Sequence, residues 1–384
     1  MKLTVRNIFL LICCITCGMH SYAQDSLSKS ERRKLKKLEK EREGRFMITP
    51  LAGPAYTPEL SFTIAGGILM SWRNSRTDTT LQRSVVPMNI GVSTSGAFFV
   101  NSKSSTFWNH DKVRVYTDIN FKNMPDNFFG IGYEKGNTVP KSDTTTAYHR
   151  LWWQLNPRML WQFRKNFFIG GTVDINYTKG SDPCPAISYD HYYIKYNDRP
   201  FNVGIGGIFQ YDTRDIAVNP WKGEFVELQG AVYGTYLGGQ NNYEMLSVDA
   251  REYWQLFKPG QTLALQVKGR FTTGDVPYGE MSQLGTPFDL RGYLWGQYRD
   301  YCMLFSIAEY RHTFYTSAGV PGKFGGVIWT GVGSISPRFL FYQGLLPNVG
   351  VGFRYEVQPR MNLRLDYGIG KNTSGFYFNF NEAF

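Results

Sequence analysis

From residue 61 to Phe384 apolar and polar side chains alternate with a period of two, the pattern of strands with one apolar and one polar face. In 361–371, Asn362, Arg364 and Asp366 alternate with Leu363, Leu365 and Tyr367; in 346–357, Arg354 and Glu356 oppose Val349, Val351, Phe353 and Tyr355. Likewise 222–236 sets Glu227 and Gln229 against Val226, Leu228 and Val232. The alternation predicts strands at 61–72, 84–93, 96–105, 111–121, 128–134, 147–163, 166–178, 200–212, 222–236, 243–257, 260–274, 300–314, 323–333, 346–357, 361–371 and 375–384. Ahead of them, 46–60 carries prolines at 50, 54 and 58, which argue against a central place in a sheet, and it reads as a lead-in.

The connections fall into two classes. Thr94–Ser95, Lys122–Asn127, Arg164–Lys165, Pro259 and Gln358–Arg360 are short and share one side. Arg73–Arg83, Lys135–Thr146, Lys179–Arg199, Asp275–Arg299 and Ser334–Leu345 are longer and share the other. Short periplasmic turns opposite long external loops mark an outer-membrane barrel, with the polar face inward and the apolar face toward lipid. A soluble β-sandwich would show the same parity without the loop asymmetry or so many strands in one run. The reading is an all-β, 16-stranded antiparallel transmembrane β-barrel over 46–384, with both ends in the periplasm and a long inward-folded loop at 275–299.

Composition sharpens this. Aromatics make up 16% of the chain and charged residues 19%, with 40 glycines, which suits a barrel with aromatic girdles better than an ordinary soluble domain. The first residues pair two basic side chains with an apolar run from Ile8 to Gly18 and then Ser21-Tyr22-Ala23, the pattern of a secretory signal peptide over 1–23. The run is too short to span a bilayer, which takes roughly 20 apolar residues. Cys14 and Cys17 lack the small residues a lipoprotein signal requires before its cysteine. Cys184 and Cys302 lie beyond the leader, one in a loop and one in a strand, and indicate no disulfide framework.

Residues 24–45 are different material. Ser28 with Glu31 opens a capping box, Leu35 and Leu38 are almost the only apolar side chains that follow, and Gly44 closes a short charged helix. This arm reads as a solvated tether, or as a periplasmic segment that docks on a partner or on anionic lipid. The formal charge of +11 comes largely from these first residues. Setting aside the two basic residues of the leader and the nine basic and five acidic residues of 25–45 leaves 31 basic and 26 acidic. The barrel therefore gives no support to nucleic-acid binding.

Catalytic signatures are missing: His110, His149, His191 and His312 are scattered, and there is no nucleophile elbow, metal-binding helix or phosphate loop. Gly204-Ile205-Gly206-Gly207 runs on into a strand rather than a helix, so it is not a dinucleotide loop. Asp182, Cys184, Asp190 and His191 share a loop with ligand chemistry, but no metal site is assigned. Neither a cofactor nor an enzymatic activity is expected. The candidate chemistry lies in Leu284–Tyr293, LGTPFDLRGY, where Arg291 has aromatic neighbours at Phe288, Tyr293 and Trp295. An arginine desolvated among rings needs a carboxylate partner.

Leu290-Arg291-Gly292-Tyr293 resembles the inward-folded loop motif of the BamA/TamA-type outer-membrane barrels, the bacterial surface-antigen family. Four further stretches resemble the same family in the same order. Asp212-Thr213-Arg214-Asp215 with Pro220 and Gly223 is similar to its periplasmic turn, and Asp215, on the opposite parity to Asp212, belongs at the rim. Ser306–Arg311 is similar to the strand whose glutamate, here Glu309, pairs with the loop arginine. Gly350–Arg354 with Leu363–Gly368 resembles the penultimate hairpin. The final segment, with Phe376, Phe378 and Phe380 on one parity and Phe384 at its end, resembles the signal read by barrel-assembly machinery. In one place the sequence departs: where the family often has an aspartate as second partner of the arginine, this chain has Thr330. The resemblance then implies an arginine held by Glu309 alone, which an aspartate at 330 would strengthen.

The resemblance implies an outer-membrane barrel that assists protein insertion or translocation, or lipid movement, at a weak seam; the residues alone fit a passive channel or structural membrane protein equally well. The Arg291–Glu309 pair is either a contact that keeps the lumen shut or the control of seam opening. About 20 residues ahead of the barrel cannot hold a periplasmic POTRA domain with its own core, so the expected member is POTRA-less. Its expected partners are outer-membrane lipid, the barrel-assembly machinery during biogenesis, and a separate periplasmic protein or a second copy.

Overall fold

In the computed structural model, residues 43–57, 61–75, 77–78 and 81–384 are described, together with Lys36, Glu39 and Lys40, which are helical and exposed. The signal peptide, the capping box at Ser28 and the remainder of the arm lie outside the described residues. The barrel strands are β1 (Met47–Thr57), β2 (Ser61–Trp72), β3 (Ser84–Ser93), β4 (Phe98–Trp108), β5 (Val113–Asn127), β6 (Ala147–Arg164), β7 (Phe167–Ser181) and β8 (Phe201–Asp212). They continue with β9 (Gly223–Tyr233), β10 (Tyr243–Gln255), β11 (Gln261–Gly274), β12 (Cys302–Tyr315), β13 (Pro321–Ser336), β14 (Leu346–Gln358), β15 (Met361–Gly370) and β16 (Thr373–Phe380). All sixteen form one sheet in chain order, each antiparallel to the next. No described helix is long and apolar enough to cross a membrane, which says nothing of crossing by strands.

Two expectations about strands fail, and their errors cancel in the count. The proline-bearing lead-in is a strand: Met47–Thr57 pairs with β2 along its whole length. Pro50 and Pro54 fit because β1 is an edge, where a missing N–H deprives no neighbour. Conversely 128–134 is not a strand, and 122–127 is not a turn. β5 runs unbroken to Asn127; beyond it Gly130 and Gly132, at φ of 90° and 100°, swing the chain into the helix α1 (Tyr133–Thr138).

This shift inverts the expected placement of the early connections. Arg73–Arg83 belongs to the short-turn end, and Thr94–Ser95 to the long-loop end. The contacts agree: His110 Nδ1 lies 2.7 Å from Asp78, and Gln82 accepts the Ala217 N–H at 2.8 Å, so residues 78, 82, 110 and 217 meet at one end. At the other end are the long segments 128–146, 182–200, 275–301 and 337–345, with α1, α2 (Pro185–Ser188) and α3 (His191–Asn197).

The faces follow the alternation. Val349, Val351, Phe353, Tyr367, Val226, Leu228 and Val232 are exposed on the outside, whereas Arg354, Arg364 and Asp366 are buried within. Along β6, aliphatic Leu155 and Met159 lie between Trp153 at one end and Trp161 and Phe163 at the other. Apolar surface bracketed by aromatic rings is what a hydrocarbon layer between two interfaces selects. The core is the packed lumen: Leu284, Leu290, Tyr293 and Tyr298 of the long loop cluster with Met303, Phe305, Ile307, Trp329 and Leu346 of the wall.

Candidate functional site: the lumen loop and the open edge

Residues 275–301 fold into the lumen. The turn at 285–289 is set by Asp289, whose carboxylate accepts N–H bonds from Gly285 and Thr286, both at 2.8 Å, and the Thr286 hydroxyl at 2.6 Å. Gly292, at φ 115°, presses against β15 so closely that a Cβ would lie 2.7 Å from the Gly370 nitrogen; a Cβ on Gly368 would lie 2.5 Å from the Arg291 carbonyl. Glycines on both sides let two backbones meet without side chains between them. The Tyr377 hydroxyl accepts the Gly292 N–H at 2.9 Å, Asn348 donates to the Arg291 carbonyl at 2.9 Å, and the Tyr293 hydroxyl donates to the Pro347 carbonyl at 2.7 Å. Leu290 is buried against Gly333. The loop tip is thus docked on β13 to β16.

Arg291 is fully buried and forked between two carboxylates, donating from Nη2 to Glu309 and from Nη1 to Asp366, each at 2.6 Å. Its guanidinium stacks 3.6 Å from the Trp329 ring centroid, an arrangement that offsets part of its desolvation. Glu309 also accepts from Arg311 at 2.8 Å, and Asp366 from Arg354 at 2.6 Å; Arg354 donates in turn to Glu382 at 2.8 Å. Arg364 lies 3.5 Å from Asp366 and donates to the Pro287 carbonyl at 2.9 Å. Arg291, Arg311, Arg354 and Arg364 therefore face Glu309, Asp366 and Glu382, four cations against three anions.

Several expected contacts are corrected here. Thr330 is not a partner of Arg291: it is exposed on the outer face of β13, and the second carboxylate comes from Asp366, two strands further on. Nor are Phe288, Tyr293 and Trp295 the rings around the guanidinium. Phe288 neighbours Lys103 and Arg364, Trp295 neighbours Lys122 and Arg150, and Tyr293 packs on Tyr298; the ring beneath Arg291 is Trp329. The motif reading missed Asp366, Arg354, Arg364 and Glu382. The inward parity of Arg364 and Asp366 was the signal that could have found two of them.

At the short-turn end Asp212 is buried and accepts from Arg114 at 2.6 Å and from Arg214 at 2.9 Å. Asp215 lies beyond the strand, binding the Trp221 N–H at 3.0 Å and Arg360 at 3.0 Å, and Arg360 stacks 3.5 Å from the Trp221 ring. Pro220 is buried, and Gly223, at φ 107°, approaches Thr213 so closely that a Cβ would lie 2.4 Å from its carbonyl oxygen. These residues knit the 213–222 loop to the β14–β15 turn.

β1 and β16 are neighbours, yet among the described residues no ladder joins them. Phe376 faces outward, Phe378 is half-buried, and at Asn381 a φ of 61° turns the chain into the lumen. Phe380 consequently packs with Leu69, Val85, Val357 and Met361, while Phe384 stacks near Tyr253 and its carbonyl accepts from Arg311 at 2.9 Å. One polar clasp spans this junction: Gln358 of β14 donates to the Thr49 hydroxyl at 2.8 Å and the Leu69 carbonyl at 3.1 Å, and accepts from the Ser71 hydroxyl at 2.5 Å.

In the long-loop cap, Asp275 is bonded by the Tyr196 hydroxyl at 2.8 Å and by Lys195 at 2.5 Å. Burial raises the Asp275 carboxyl, but these bonds outweigh it and hold it below its ordinary range. Glu280 and Asp300 lack that help: burial pushes Glu280 up to about 7, against the opposing pull of Arg270 and Arg150, and Asp300 up to about 6. Cys184 and Cys302 are free and buried. No group of metal ligands forms among the described residues, and Asp182, Cys184, Asp190 and His191 are not brought together as one. Asp190 instead caps α3 through the Tyr192 and Tyr193 N–H groups.

Comparison with known proteins adds a family. A family model described as the Omp85 superfamily domain matches residues 89–384. Among solved structures, BamA from Haemophilus ducreyi lacking POTRA domains 1-3 is similar with a TM-score of 0.54 and 12% identity, over 93% of this chain and 79% of that one. A bacterial polysaccharide outer membrane secretin has a TM-score of 0.43 and 8% identity, over 88% of this chain and 97% of that one. No curated protein matches the chain.

Proposed function

The chain belongs to the Omp85 superfamily, and from that premise we propose that it works in a bacterial outer membrane by assisting the insertion or translocation of proteins, or the movement of lipid, at the junction of β1 and β16. The observation that carries this reading is the contrast at one strand: β16 is laddered to β15 along its length and, among the described residues, has no ladder to β1. Among the described residues, side chains span that edge through the Phe380 cluster and the Gln358 clasp. A strand of substrate, or a lipid headgroup, would meet the backbone of an edge strand there, and hydrogen bonds added to such an edge give affinity without sequence specificity. The docked Arg291 loop holds β13–β16 together as one side of the opening. Biogenesis by barrel-assembly machinery, and work with a periplasmic partner or a second copy, belong to the same reading; no enzymatic step does.

A second reading, a passive channel, has its own observation: the lumen keeps a cavity of about 540 Å³ where Lys103, Lys122, Arg158, Arg251 and Lys268 outnumber Asp118, Glu227 and Asp249. The two are separated by locking the edge. Leu69→Cys with Phe380→Cys, in a Cys184→Ser, Cys302→Ser background, joins two side chains that pack together. In liposomes, oxidation of the pair is expected to stop client insertion or lipid exchange and reduction to restore it, with ion conductance unchanged. Unchanged assistance with the lock closed would sink the proposal, and anion conductance with no such activity in either state would favour the channel.

A further inference from the structure

At the long-loop end, on the outer wall of β12 and β13, three residues whose parity points toward lipid are hidden. Cys302 is 2% exposed and Ser336, its register partner, 0%; Ser334 is buried as well. What hides them is the chain between β13 and β14. Ser336 donates to the Arg338 carbonyl at 2.8 Å and Ser334 to the Gly344 carbonyl at 2.7 Å. Phe339 reaches back across β12 to meet Phe271, edge to face with centroids 5.0 Å apart. Phe271 is itself on the outer face of β11, folded over Gly269 and near Leu304. This turn therefore lies down over the barrel's outer wall instead of standing above the rim.

Its own outward side is apolar. Phe339, Leu340, Phe341 and Leu345 are all exposed, Leu340 at 72%, and Leu340 holds a left-handed φ of 62° at the tip. The Phe341 N–H closes the turn on the Arg338 carbonyl at 3.2 Å, and the Arg338 guanidinium lies 4.9 Å from the Phe341 ring. A β-branch-free leucine in a left-handed conformation, four exposed apolar side chains and one arginine at their margin would be poorly placed in water. Phe339 lies against the outer-face Phe271, and Ile328 and Val332 are exposed on the same face of β13, so the solvent that meets that wall meets the turn too.

We propose that the 338–342 turn is an interfacial anchor that lies in the membrane leaflet at the long-loop end, with Leu340 and Phe341 among acyl chains and Arg338 at the level of lipid phosphates. Aromatic and aliphatic side chains below an arginine are the arrangement that binds a segment in the plane of an interface. Beyond its grip, the turn displaces lipid over β11–β13 and shields a thiol from the bilayer. The inference does not depend on what passes at the β1–β16 edge.

The test uses the full chain in phosphatidylcholine vesicles with and without a quarter phosphatidylglycerol. A nitroxide at Leu340→Cys, in the Cys184→Ser, Cys302→Ser background, is compared with one at Tyr189→Cys, an exposed site in the 182–200 loop. The expected result is greater collision with oxygen than with a water-soluble nickel chelate at 340, and the reverse at 189. Arg338→Gln is expected to make position 340 shallower in the anionic vesicles and to leave it unchanged in the neutral ones. With the native cysteines, Leu340→Asp is expected to open Cys302 to a membrane-partitioning maleimide, read on the Cys302 peptide. Water-like accessibility at 340 would overturn the anchor, and an unchanged depth with Arg338→Gln would overturn the phosphate contact.

Discussion

The two sides of β16 differ in what holds them. Toward β15 there is a full backbone ladder, and behind it the Arg291 loop, with glycine backbones in contact and seven charged side chains in one network. Toward β1, among the described residues, there is an apolar cluster and one glutamine. Backbone ladders and buried ion networks lose much when a single member is removed, whereas a few side-chain contacts can part and re-form at small cost. Opening of the barrel should therefore occur at one place, with β12–β16 moving as a unit.

The contrast is broken most severely through Glu309. Glu309 is bonded by both Arg291 and Arg311, so Glu309→Ala leaves two buried guanidiniums short of a carboxylate, whereas Arg291→Ala leaves Glu309 paired with Arg311 and Asp366 with Arg354. Both should destabilise, and Glu309→Ala more, by about 3–5 kcal/mol when an uncompensated buried charge remains. Urea unfolding midpoints and the heat-modified gel shift measure this, and an Arg291→Ala variant the less stable of the two would contradict this pairing. The pair should also couple by about 0.5–3 kcal/mol in a double-mutant cycle.

Next in size are changes on the lipid face. Val351→Arg should cost about 2–4 kcal/mol if it lies near the midplane, and carboxylates on this face somewhat less. Thr330→Asp falls in the second class. On the outer wall, it should destabilise the barrel without tightening the Arg291 loop, as judged by protease cleavage within 275–301. A tighter loop would return Thr330 to the lumen side.

These variants also show what the sequence made legible. Alternation at 346–357 and 361–371 placed Val349, Val351, Phe353 and Tyr367 outside and Arg354, Arg364 and Asp366 inside, because one residue of slip would carry Arg364 and Asp366 into lipid; it failed only at the β14–β15 turn, where a register shift lets Val357 and Met361 join the buried Phe380 cluster. Glu309 came instead from the resemblance of Ser306–Arg311 to a family strand. What no alternation reveals is which inward residues meet across the lumen, and so Asp366 as second partner of Arg291 came only with the fold. Strand β1 was hidden for another reason: Pro50 and Pro54 weigh against a strand unless that strand is an edge, and edge status is a property of closure. Phe128 misled in the opposite direction, since its apolar neighbourhood is the Tyr278 cap and not a sheet.

The cap responds to pH in two opposite senses. Glu280 and Asp300 have carboxyls raised by burial, so their stabilising contribution is complete below the unfolded carboxylate range of about 4 and is lost as pH rises through about 6 and about 7. Asp275 is lowered, so its contribution is present above that range and is lost in acid. Protease cleavage within 275–301 should thus increase between mildly acidic and neutral pH. Asp300→Asn with Glu280→Gln should flatten that rise, and a rise that persists in the double variant would assign it to other groups.

The smallest expected change in overall stability is the most informative about the edge. Gln358→Ala removes the side chain that reaches Thr49, Ser71 and the Leu69 carbonyl, while the β14–β15 ladder beside it remains. Losing such bonds costs about 1 kcal/mol each, at buried groups of the edge alone, so the unfolding midpoint should fall less than for the Glu309 and Val351 variants. Because that midpoint reports the whole sheet and the clasp only its edge, local opening should respond more strongly. Amide hydrogen exchange in β1 should speed up several-fold while β13–β15 stay protected, and the Leu69→Cys/Phe380→Cys pair should oxidise at an altered rate. Equal acceleration on both sides of β16 would mean that the barrel opens as a whole, and the contrast between its two flanks would have no mechanical meaning.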